Sequence, residues 1–119
     1  MAKVNEMDRQ KVLDWMVKYC FGFRNARIRA NILPFVGFAD RYWRAIISEL
    51  KHDGLVASTH TRGYWAIPQD TKDKLEVEAA IESYQEMRSK ALDLLTDTDK
   101  HIKHWQDRRL SLTQQGEMF

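Results

Sequence analysis

Arg41 and Arg44 stand three residues apart, with Ala45 and Ser48 following. On a helix that spacing brings Arg41, Arg44, Ala45 and Ser48 to one side. A guanidinium carries a rigid planar fork of donors that fits phosphate oxygens or the O6/N7 edge of guanine, and an alanine fits a thymine methyl. The chemistry on offer is therefore recognition rather than bond making. Candidates for bond making are few. Cys20 is the single cysteine, with no partner for a disulfide and no companion ligands for zinc. His101 and His104 lie three apart with Asp97 one turn earlier, a spacing common on solvated helices and therefore a weak metal signal. There is no glycine-rich phosphate loop, and the carboxylates are scattered along the C-terminal half. No catalytic residue, metal site, cofactor or small-molecule substrate is expected, and the chain does not read as an enzyme.

The elements that would position those arginines follow from periodicity. In residues 8–20, Val12, Trp15, Met16 and Tyr19 recur at helical spacing, with Asp8 as a candidate N-cap and Gly22 beyond the end. A basic segment with Arg24, Arg27 and Arg29 follows, then a short second helix at about 28–36. Pro34 requires that this helix either start late or kink. Gly37 marks a tight turn and Asp40 an N-cap, opening a third helix whose inner face is Trp43, Ile46, Ile47 and Leu50. Its outer face is Arg41, Arg44, Ala45, Ser48 and His52. Two extended runs, 55–59 and 63–67, joined by His60, Thr61 and Arg62, read as a β-hairpin.

From Thr71 to Gly116 the chain has neither proline nor glycine. Val77, Ile81, Tyr84, Arg88, Ala91, Leu95, Thr98, Ile102 and Trp105 alternate at spacings of four and three, the seam of a coiled coil. A helix over 77–105 would be roughly 42 Å long at 1.5 Å per residue, more than one small domain can cover. Leu95, Ile102 and Trp105 are thus expected at a homodimer contact. The organisation predicted is a domain over 1–70, a long helix over 71–110 and a flexible tail over 111–119.

The net charge of +2 conceals an asymmetry. Residues 1–68 hold eleven basic against six acidic side chains, and residues 69–119 hold eight against eleven. An anionic partner suits the first part. No apolar run reaches the roughly 20 residues of a membrane span, and the first residues lack the pattern of a signal peptide, so no membrane partner and a cytoplasmic location are expected.

Together these elements predict a mainly α fold with a small β-hairpin, ordered as a winged helix-turn-helix domain followed by a long C-terminal helix. In that arrangement the third helix enters the major groove of double-stranded DNA. Arg62 and Thr61 of the wing would approach the phosphates or minor groove, and Arg24, Arg27 and Arg29 would contact the backbone. The run from Asp40 to Val56, closed by Gly63-Tyr64-Trp65-Ala66-Ile67, resembles the small winged-helix proteins of bacteriophages and prophages. In these an Asp-Arg pair opens the recognition helix, a second arginine follows three residues later, and the wing closes with Gly-Tyr-aromatic. Arg41, Arg44, Gly54, Gly63 and Tyr64 match those points, and Glu82 to Ser89 resembles the acidic helix that commonly follows. Pro34 departs from the pattern. The resemblance implies DNA binding in phage or prophage transcription regulation or replication. The alternative is a winged-helix module that docks on a protein component of replication or transcription.

Overall fold

The computed structural model describes residues 3–117, and it divides into two compact units, Met1–Tyr84 and Gln85–Phe119. It is mainly helical, with one small antiparallel hairpin and a long C-terminal helix. In the first unit, α1 (Glu6–Tyr19) is capped by Asn5, whose side chain accepts from the Met7 and Asp8 amides. Asp8 is therefore not the cap. The helix buries Val12 and Met16, followed by Cys20 at its end, while Trp15 is half-buried and Tyr19 exposed. The inward stripe thus runs at intervals of four, with Trp15 packed at its side and Tyr19 outside it.

Residues 21–32 are not a regular helix. Short 3-10 turns at Phe23–Asn25 and Arg29–Asn31 lead into a single α-turn, α2 (Leu33–Val36), with Pro34 in its first turn. Of the two geometries open to the second helix, the late start is the one found. Proline lacks the N–H that a first turn leaves unbonded anyway, so it fits there and nowhere deeper. Gly37 then takes the left-handed conformation, φ 78°, and Ala39 leads into α3 (Asp40–His52). Asp40 is the first helical residue rather than the cap, and its side chain makes no capping hydrogen bond. Trp43, Ile46, Ile47 and Leu50 are all buried, as their spacing predicts.

The hairpin pairs β1 (Val56–Thr59) with β2 (Gly63–Ala66), Val56 opposite Ala66 and Ala57 opposite Trp65. Its two faces bury different partners. Val56 and Ala66 join the core of α1, α2 and α3, whereas Ala57 and Trp65 cluster with Ala79 of α4 (Lys74–Glu117). The outer edge of β2 is bridged by the segment after α1: Arg27 and Tyr64 exchange backbone hydrogen bonds of 3.0 and 2.8 Å, and Gly22 donates to the Ala66 carbonyl at 2.9 Å. Gly63, at φ 95°, permits this approach, because a Cβ there would run into the Arg27 backbone. The outer edge of β1 is closed by a side chain. Ser83 is buried, and its hydroxyl accepts from the Ser58 N–H (2.9 Å) and donates to the Ser58 carbonyl (2.8 Å). Both edges of the small sheet are thus occupied.

α4 belongs to both units. Within the first it packs through Glu76, Ala79 and Ser83, and Val77 and Ile81 stay exposed. In the second unit the helix continues to Glu117, through 111–117 where a loose tail was expected; residues 118 and 119 lie outside the described residues. Among the described residues no helix is long and apolar enough to cross a membrane.

Candidate nucleic-acid interface

α3 is fixed to α1 at both ends. Near its start, Tyr42 donates from its hydroxyl to Asp8 (2.6 Å) and accepts from the Asn5 N–H (3.0 Å). The Asp8 carboxylate raises the Tyr42 phenol above its ordinary value, so this donor stays protonated. Near its end, Arg9 pairs with Asp53 and lies 3.8 Å from Glu49. With Trp43, Ile46, Ile47 and Leu50 buried beneath it, the helix presents a preset face. That face is open: Arg41, Arg44, Ser48 and His52 are exposed and Ala45 is half-exposed.

One carboxylate organises the start of this face. Asp40 lies 3.1 Å from the Arg44 guanidinium and 3.5 Å from that of Arg29, drawing an arginine from the 3-10 turn beside one from α3. Arg44 keeps 57% of its side-chain surface exposed. An exposed pair of this kind is worth about 0–1 kcal/mol, so it orients the arginines without holding them from a stronger anion. Arg41 has no carboxylate within ion-pair distance among the described residues.

The remaining candidates form other groups. Arg24 bonds Asp73 at 2.9 Å, approaches Glu76 at 3.7 Å, and lies over the Phe23 ring. Arg62 covers the same ring and pairs with Glu82 at 2.6 Å, so the hairpin arginine turns back onto α4 and leaves His60 and Thr61 exposed at the tip. Arg27 lies over Trp15 and Tyr19, 5.6 and 5.8 Å from their ring centres. Asp73 also accepts from the Leu75 N–H at the start of α4. Its carboxyl is held below the usual range, first by Arg24 and then by that amide. Sequence reasoning missed Asp73 and Glu82 as partners, because they pair with arginines 49 and 20 residues away and have no local signature, whereas the Asp40–Arg44 pair at i,i+4 could have been read from helical spacing.

Cys20 carries no chemistry here. Burial raises its thiol, against the opposing pull of Arg27, and keeps it a neutral core group. A separate aromatic surface joins Trp15 to Tyr19 (5.0 Å between rings) and to the exposed Phe35 (6.1 Å). Leu95, Ile102 and Trp105, expected at a contact between chains, are 56%, 50% and 65% exposed in the second unit. Comparison of the chain with protein-family models, with curated proteins and with solved structures finds no match.

Proposed function

We propose that the chain binds double-stranded DNA as a winged helix-turn-helix protein, with the outward face of α3 in the major groove. The observation that carries this reading is that face itself: a helix locked at both ends to α1 and exposing Arg41, Arg44, Ser48 and His52, with Ala45 between them. Helix, irregular connection, helix and hairpin follow in winged-helix order, and the isolated bridges of Phe21 and Arg27 to β2 add support. Arg41 and Arg44 would meet base edges or phosphates, and Arg29 the adjacent backbone. Thr61, with His60, would touch the flanking groove, while Arg62 and Arg24 would reach phosphate only by exchanging Glu82 and Asp73 for it. Through the resemblance of its α3 and wing to phage and prophage proteins, the role falls in transcription regulation or replication, in the cytoplasm. A homodimer through α4 would make the DNA site bipartite.

Selection of bound duplexes from a random pool tests this proposal. A recovered consensus is expected, and Arg44→Ala should weaken binding to it by about 1–3 kcal/mol if Arg44 reads a base. An equal loss on unrelated duplexes would make Arg44 a phosphate contact, and recovery of no duplex would remove the proposal. The second reading, docking on a protein, is favoured by the Trp15–Tyr19–Phe35 surface, since exposed aromatic groups mark contact sites. Phe38 and Tyr42, beside α3, add no such surface, since both are half-buried and pack on the core.

A further inference from the structure

We propose that residues 88–105 of α4 pair with the same segment of a second copy, and that the two helices run antiparallel. The inference rests on the reading that α4 joins two chains, and adds the direction in which they meet. The described part of the second unit is a helix whose residues 87–110 are all exposed. Leu95, Ile102, Trp105 and Leu112 are half-exposed or more along one line, over about two and a half heptads. Thr98 falls on the same line and hides its hydroxyl by donating to the Leu94 carbonyl at 2.7 Å, which leaves its methyl for contact.

Direction follows from where the charges interrupt that line. Counting by heptads, Arg88, Leu95, Ile102 and Arg109 occupy one seam position, and Ala91, Thr98, Trp105 and Leu112 the other. In a parallel pair each seam residue faces its own copy, so Arg88 would meet Arg88 and Arg109 would meet Arg109, like charges brought together twice. An antiparallel pair sets the first position against the second, which holds no charge anywhere in this segment. One register also matches sizes: Ala91 against Ile102 of the second copy, Leu95 against Thr98, and Arg88 over the Trp105 ring, where a guanidinium is attracted. The wider charge pattern agrees. Residues 85–99 hold four acidic side chains against Arg88 and Lys90, and residues 100–112 hold four basic side chains against Asp107, so the first part is net acidic and the second net basic. Antiparallel pairing lays acid beside base and brings the two chains into the pair from opposite ends.

Spin labels on the full chain distinguish the directions. Cys20 is fully buried, so labels can be placed singly through Asp97→Cys or Leu110→Cys, both at exposed positions off the seam. In the proposed register the two labels at 97 lie side by side, and those at 110 lie about 40 Å apart along the axis, from 1.5 Å per residue. A dimer by sedimentation with a short distance at 97 and a long one at 110 is the expected result. Short distances at both positions would mean a parallel pair, overturning the direction while leaving self-association standing. A monomer at all concentrations would overturn both, and neither result touches DNA binding by α3.

Discussion

The two units of the chain share one helix but treat its surface in opposite ways. In the first, α4 buries Glu76, Ala79 and Ser83, small or polar side chains, while Val77 and Ile81 stay exposed. In the second it exposes Leu94, Leu95, Ile102, Trp105 and Leu110. Hydrophobicity alone therefore does not predict what this helix buries. In the first unit the close approach to the hairpin selects small residues and satisfies a strand edge with a serine. In the second, these side chains stay exposed, and the proposed second copy would cover the ones on the seam.

Core and surface substitutions should separate the units most widely. Trp43→Ala removes a fully buried indole and should cost about 3–5 kcal/mol in urea unfolding. Leu110→Ala, at a residue 59% exposed, should stay within about 0.5 kcal/mol. Equal costs would mean that the second unit is as tightly packed as the first. A sharper comparison uses two serines of α4. Ser83→Ala leaves the Ser58 N–H and carbonyl without their partner and should cost about 1–3 kcal/mol, whereas exposed Ser89→Ala should cost nothing measurable. If both were neutral, closure of the β1 edge by Ser83 would contribute nothing to holding α4 on the hairpin.

The smallest effect expected is on acid stability. Because the Asp73 carboxyl is depressed in the folded chain, its contribution is complete above the ordinary aspartate value of about 4 and is lost as pH falls through its own lower value. Asp73→Asn should therefore flatten the melting temperature between about pH 5 and pH 2 without altering it on the acid side of that range. An unchanged pH profile would show that the Arg24 contact is too exposed to matter.

Much of the first unit is legible in its sequence. Trp43, Ile46, Ile47 and Leu50 declare the buried face of α3, and the β-branched and aromatic runs around 60–62 declare the hairpin. Helix two was legible only as a conflict, since Pro34 rules out a regular helix over 28–36 without saying what replaces it; the answer is two 3-10 turns and a single α-turn. Asn5 rather than Asp8 caps α1 because Asp8 is engaged by Tyr42, a contact 34 residues distant. The packing face of α4 was legible only in part, because heptad reading follows apolar residues: Tyr84 of the heptad seam is half-buried and donates to the Lys51 carbonyl at 2.7 Å, but Val77 and Ile81 stay exposed. The available signal was the small pair Ala79 and Ser83 at a spacing of four. For the candidate interface, the exposed face of α3 and the Asp40–Arg44 pair were legible from helical spacing, but the approach of Arg29 to Asp40 and of Arg62 to Phe23 depends on tertiary contacts that no local pattern encodes.

The central claim, that the exposed side of α3 meets duplex DNA, is tested most directly by fluorescence anisotropy of a labelled duplex across a salt series, comparing the native chain with the double variant Arg41→Ala and Arg44→Ala. Binding that weakens with salt, by a logarithmic slope of about −0.9 for each phosphate contacted, and that the double variant loses while keeping its fold, is the result predicted. Binding unchanged in the double variant, or no binding to any duplex at low salt, would contradict it.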